Sequence, residues 1–211
     1  AEPAYVAQVQ EKEVDFRTHM QKIKSAGVDG IMIAALAETM ARALIQSYEA
    51  GIPASVRRIG SSSASNSPVP SIAGDAAKGV FFAAAYAAAD TRPIARLFNE
   101  MVRKRYGIHA PDHDFSQAYD LVRIVEIALS NANLKLDSGS LAADRTAIRD
   151  AIASVKNYNG LASGPISFCA AATPQCRDGN RTAVLIAYSK GGKDYKTEVL
   201  ARVTMPADFG L

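Results

Sequence analysis

At 211 residues, 48% of them hydrophobic, the chain can bury a sizeable core as one domain or two small ones. Lys and Arg total 24 against 21 Asp and Glu, and the resulting net charge of +3 is too slight and too scattered to argue for nucleic acid. No stretch approaches the ~20 apolar residues needed to span a bilayer, the longest candidate, residues 80–86, being strand-length.

Ala1-Glu2-Pro3 follows no charged or apolar leader, so the chain reads as mature, truncated or cytosolic. Asp15 is a good N-cap, and Phe16, Met20 and Ile23 recur at helical spacing up to a stop at Gly27. Residues 31–35, Ile-Met-Ile-Ala-Ala, form a short continuous apolar run, the pattern of a parallel strand covered on both faces. A second helix spans about residues 38–50, closed by Gly51 with Pro53 just beyond, and residues 56–60 begin another strand. Strands alternating with helices through short loops specify a parallel α/β layer.

The polar segment 61–70 admits two readings. Its composition is that of a flexible linker. Its position, directly after a strand, is where ligand crevices of open α/β sheets are lined, with Ser61, Ser62 and Ser63 offering hydroxyl and N–H groups. A short helix follows at residues 72–78 and a buried strand at 79–86. Asp90-Thr91-Arg92-Pro93 opens a helix that reaches Tyr106 and stops at Gly107. Its terminal Arg103-Lys104-Arg105 suits the negative end of the macrodipole. Residues 115–131 form a long amphipathic helix with Tyr119, Val122, Val125 and Ile127 in its apolar stripe. Asp144 caps another, with Ile148, Ile152 and Val155 on one face. Residues 182–188 and 196–203 are strands flanking Gly191-Gly192, an antiparallel hairpin.

Cys169 and Cys176 are the only two cysteines and sit close together in a turn-rich loop. A local disulfide, stabilising by roughly 2–3 kcal/mol, is favoured over two free thiols and implies an oxidising compartment. The three histidines, His19, His109 and His113, show no metal-ligand spacing with them. No G-x-S-x-G, phosphate loop, H-E-x-x-H or C-x-x-C is present, so catalysis is disfavoured and no cofactor is implied. Asp112-His113-Asp114 reads as a capping Asp114 beside a solvated His113, because neighbours in an extended segment point apart.

Four segments in order carry a family resemblance: residues 15–60, residues 71–80 (SIAGDAAKGV), Ala118-Tyr119-Asp120-Leu121-Val122, and residues 163–168 (SGPISF). Together they resemble the leucine/isoleucine/valine-type receptors of ABC transporters, which are type I periplasmic solute-binding proteins. The resemblance implies a two-lobed Venus-flytrap fold, a parallel sheet flanked by helices with a C-terminal antiparallel hairpin. On that basis residues 1–86 belong to the second lobe and residues 87–168 contribute helices of the first. Residues 169–211 hold the disulfide loop and the returning hairpin. Such receptors are longer, so the first-lobe sheet is expected to lie outside this chain, leaving the helices of residues 93–155 with uncovered apolar faces.

By position, Leu36 and Ala37 fall where amino-acid receptors commonly carry an aromatic residue. Ser62 falls where they commonly carry an acid for the ligand's ammonium. Both depart from the pattern, and losing that acid removes a charge-assisted bond of roughly 1.5–3 kcal/mol. The resemblance therefore implies a branched-chain amino acid or related carboxylate, aromatic or aliphatic, held partly by Asp114 or, more favourably, Phe115. It also implies a membrane permease as partner and a periplasmic location. A sensory ligand-binding domain of a regulator is the alternative.

Overall fold

The computed structural model describes residues 2–162, 164–168 and 181–205; Cys169 and Cys176, with their expected disulfide, lie outside them. In chain order the elements are α1 (Arg17–Ser25), β1 (Gly30–Ile33), α2 (Ala37–Glu49), β2 (Arg57–Gly60), α3 (Pro68–Ala73) and β3 (Phe81–Ala84). They continue with α4 (Pro93–Tyr106), α5 (His113–Asn131), α6 (Leu141–Ala153), β4 (Tyr158–Gly160) and β5 (Gly164–Ile166), then β6 (Arg181–Lys190) and β7 (Lys196–Met205). The main sheet runs β1-β2-β3-β6-β7, its first three strands parallel and the closing hairpin antiparallel. A separate β4–β5 ribbon lies among the helices.

Parallel pairing demands a crossover between successive strands, and α2 and α3 are those crossovers. Met40 and Leu44 of α2 and Val69 of α3 bury themselves against Val80, Phe82, Ala84, Val184, Ile186 and Tyr188. On the flank, α1 docks Phe16 and Met20 against Ile31, Ala43 and Ile52. The helix starts one residue later than sequence suggests: Phe16 is its N-cap, and the Asp15 carboxylate instead accepts the Arg17 N–H at 3.1 Å. Gln46 supplies the tie the cap lacks, accepting from Phe16 N–H at 2.6 Å and donating to Val14 O at 2.7 Å.

The expectation that β1 is covered on both faces fails. Met32 is 71% exposed and pairs in register with Ile59, itself 41% exposed. The same face continues through Ala83 to its register partner Leu185, 39% exposed, and on to Val203, 55% exposed. A continuous apolar run identifies a strand but does not supply the second layer that would cover it. The outer edge of β1 is also unpaired among the described residues. It borders a groove of about 500 Å³, lined in part by Tyr5, Val9, His19 and Met32.

A second core gathers the helices. Tyr86 packs edge-on against Phe98, and Phe98 against Tyr119, beside Ala95, Val102 and Leu161. Leu97, Met101, Leu121 and Val122 are exposed, so the uncovered apolar faces expected of these helices are present. The α6 expectation needs correction. Its N-cap is Ser140, and Asp144 lies one turn inside, where its carboxylate accepts the N–H groups of Lys135 and Leu136 and the Ser140 hydroxyl. Those donors hold Asp144 below the ordinary carboxylate range.

The uneven cover of the sheet is measurable by urea unfolding. Leu44→Ala is expected to lower the unfolding free energy of this chain by about 2–5 kcal/mol. Met32→Ala, on the bare face of the same sheet, is expected to change it by no more than about 0.5 kcal/mol.

Candidate functional site

The carboxyl ends of β1 and β2 are stitched together by one residue. The Ser61 N–H donates to Ile33 O at 3.1 Å, and its hydroxyl donates to Ala35 O at 3.3 Å. Leu36 follows as the extended N-cap of α2, 56% exposed, and Ala37 begins the helix half-buried against the sheet core. Leu36, Ala37 and Ser61 thus occupy adjacent tips. The first N–H groups of α2 belong to the same end, favourable ground for negative charge.

The segment after β2 is not a linker. Ser62–Ser65 is a turn of 3₁₀-helix, followed after two residues by α3, and a further 3₁₀ turn at Gly74–Ala77 completes the stretch expected to be one short helix. Gly60 permits this fold: a Cβ there would meet Ala64 Cβ at 2.8 Å and Met40 Sδ at 3.1 Å. Ala64 is fully buried, and its carbonyl accepts the Tyr188 hydroxyl, so the turn is clamped from above and below. Within it Ser62 is exposed and Ser63 half-buried.

The Asp112-His113-Asp114 segment departs from expectation at each position. Asp112, rather than Asp114, caps α5, accepting from Asp114 N–H at 3.0 Å and Phe115 N–H at 3.3 Å. The helix accordingly begins two residues earlier than periodicity indicates. His113 is not solvated, its side chain being only 13% exposed. One ring nitrogen lies 2.5 Å from Ser65 Oγ and the other 3.3 Å from the Asp114 carboxylate. The helical geometry of α5 lets His113 and Asp114 meet, which extended backbone would not. Through His113, the first turn of α5, bearing Asp114 and the 40% exposed Phe115, is brought beside the Ser62–Ser65 turn.

Ser65 and His113 went unseen as a pair because they lie 48 positions apart and neither carries a periodic signal. Beside that contact is a hollow of only about 20 Å³, lined among others by Ser65, Tyr86, Pro111, Asp112 and Tyr195 and by none of Leu36, Ala37, Ser61, Ser62, Ser63, Asp114 and Phe115. That volume is about one water. Burial, with the nearby Asp112 charge adding to it, raises the pKa of Tyr195 and keeps the phenol neutral. A hollow of about 740 Å³ opens at the amino ends of β1 and β2 among Lys24, Asp29 and Arg57. Ligand crevices of open parallel sheets form at the opposite, carboxyl ends.

A charged junction lies after β3. Asp90, its side chain 3% exposed, accepts from Arg92 Nε at 2.7 Å and from Arg202 at 2.8 Å. Burial opposes its charge, but the Arg92 N–H groups and the two guanidinium charges outweigh that and hold Asp90 below the ordinary carboxylate range. Among the described residues no group of three or more His, Cys, Asp and Glu side chains has the arrangement of a metal site.

A sheet whose parallel strand tips carry a helix N-terminus and a hydroxyl-rich turn, with a second group of helices beside it, is an arrangement of the α/β class. The sequence profile described as periplasmic binding protein matches residues 4–201, and the chain belongs to that family. No curated protein matches.

Several solved structures share the fold. A leucine binding protein from Thermotoga maritima MSB8 aligns over 95% of this chain and 51% of its own, with 21% identity and a TM-score of 0.71. A branched-chain amino acid transporter substrate binding protein from Streptococcus pneumoniae, solved with isoleucine, aligns over 90% and 49%, with 21% identity and a TM-score of 0.70. A solute binding protein of an ABC transporter from Rhodopseudomonas palustris BisB5, solved with 3,4-dihydroxybenzoic acid, aligns over 93% and 50%, with 24% identity and a TM-score of 0.72. The chain spans about half the length of each.

The junction makes a pH prediction. Because the folded state lowers the Asp90 pKa from its ordinary value of 3.8, the stability it contributes is complete above that value and is lost as pH falls through the folded one. Asp90→Asn is therefore expected to destabilise the protein at pH 7. The gap from wild type should narrow steadily below about pH 4, read as urea midpoints across pH.

Proposed function

We propose that this chain is part of an extracytoplasmic solute-binding subunit of an ABC importer that grips a small organic carboxylate by closing one body over the other. In this reading the sheet with α1 to α3 is the second lobe, α4 to α6 belong to the first, and the hairpin returns to the second. The observation that carries it is the meeting of the β2 tip with the first turn of α5 through Ser65 and His113. In this reading Leu36, Ala37, Ser61, Ser62 and Ser63 form one wall and Asp114 and Phe115 the other. Family membership and the shared fold support it. The importer's membrane permease is the partner.

The ligand class follows from what the walls contain. The turn after β2 offers hydroxyl and N–H groups and no carboxylate, the one carboxylate of the opposite wall, Asp114, lies 3.3 Å from a His113 ring nitrogen, and Leu36 and Phe115 offer exposed apolar surface. A carboxylate without an α-ammonium, aromatic or aliphatic, suits this lining better than a free amino acid. Similar folds have been solved both with isoleucine and with hydroxybenzoates, so the fold accommodates either.

Thermal unfolding of the full-length protein against both classes decides the matter. A true ligand at about a hundredfold excess over its Kd adds roughly 2.7 kcal/mol. Aromatic or short-chain carboxylates are expected to give that shift, and stabilisation by branched-chain amino acids alone would falsify the ligand assignment. With the ligand found, Leu36→Asp is expected to weaken binding at least about tenfold in calorimetric titration, because it places a charge against the ligand's own. Unchanged affinity would remove Leu36 from the site.

A further inference from the structure

The two cores are joined by few side chains. The sheet core and the helix core share no buried residue, and α5 packs on α6 rather than on the sheet. Chain passes from sheet to helices between β3 and α4, and back between β5 and β6. The first passage is tied at the helix side to the turn between β4 and β5. Arg92 donates to the carbonyls of Gly160 and Leu161, while Asp120 accepts the N–H groups of Leu161 at 2.8 Å and Ala162 at 2.7 Å. These bonds make residues 90–92 and 160–162 one rigid piece.

Only one member of this network comes from the sheet. Arg202, on the edge strand β7, reaches across to Asp90 Oδ2, which also accepts from Arg92 Nε, while Asp90 Oδ1 accepts the Arg92 backbone N–H. Asp90 is thereby held from both bodies at once, at the place where the backbone between them turns from Ala87 to Asp90.

We propose that the Asp90–Arg202 ion pair is a positioning clasp that fixes the angle between the sheet and the α4–α6 group, and that Arg202 is its releasable half. Arg92 keeps Asp90 anchored to the helices whatever the sheet does. Losing Arg202 therefore loosens the sheet at this end without dismantling the junction, the Ser65–His113 contact remaining as the other tie between the bodies. The side chain is one third exposed at the rim, as a group that lets go during rotation must be, whereas Asp90 is enclosed. The proposal concerns the resting angle and does not depend on which solute is bound.

The test uses the full-length protein without ligand, carrying spin labels attached by non-cysteine chemistry at the exposed Lys78 and Arg145, one on each body. Pulsed dipolar spectroscopy reads the distance distribution. For Arg202→Met the distribution is expected to broaden, the share of molecules at the wild-type distance relative to all others falling roughly fivefold, the upper end of what a rim ion pair supplies. Arg202→Lys, which keeps the charge but not the fork, should recover part of that population. A residue with only a structural role would lower the melting temperature and leave the distances alone. Arg202→Gln provides a second, polar variant should the Met form misfold. Distributions superimposable on wild type in a folded Met or Gln variant would overturn the clasp.

Discussion

Everything that matters about the candidate site follows from parallel pairing. Strands β1, β2 and β3 run the same way, so every return journey must be made by a helix on one side and every strand tip must finish at the same end. That end is where α2 starts and where the Ser62–Ser65 turn folds back under Tyr188. The site is thus assembled by direction rather than by long-range attraction among its own residues. Gly60 enforces it locally, since the turn, the sheet and Met40 converge there closely enough to leave no room for a methyl group.

Within such a frame, buried polar groups act as fasteners. Arg58 is enclosed, yet its guanidinium meets Ser47 Oγ at 2.9 Å, Val56 O at 2.8 Å and Ile52 O at 3.0 Å and stacks 3.8 Å from the Tyr48 ring. It draws on carbonyls near the end of α2, where the macrodipole is negative, and so needs no carboxylate. Burial still lowers its pKa, the cost of placing a cation in this position. Asp120 does the converse among the helices, gathering two N–H groups and the Tyr158 hydroxyl at 3.1 Å. Among the described residues no buried side-chain nitrogen or oxygen is left without a partner.

Much of this architecture was legible before any coordinates. Gly27, Gly51 and Gly107 announced three helix ends, and each adopts the positive φ that makes glycine the natural stop. The Gly191-Gly192 hairpin and the alternation through residue 60 gave the strands and their parallel sense. The misreadings share a cause. An apolar run reads as covered, and an aspartate reads as the cap of the helix immediately after it, because sequence shows what a residue can do and not what lies across from it. Asp15, Asp114 and Asp144 each serve a different partner from the one their neighbours suggested. His113 and Ser65, whose contact links the two walls, belong to segments that were noticed for other reasons. Only the fold placed one against the other.

The apolar row from Met32 through Ile59, Ala83 and Leu185 to Val203 gives the bare sheet a solution chemistry of its own. It is a water-facing surface bounded on one side by a strand edge that is unpaired among the described residues, the two properties that make β-structure adhesive. Sulfate or phosphate in the buffer raises the tension at that plane and drives copies together, while mild urea wets it and keeps them apart. The solubility of this chain is accordingly expected to fall with such salts and to recover in mild urea, through this bare face.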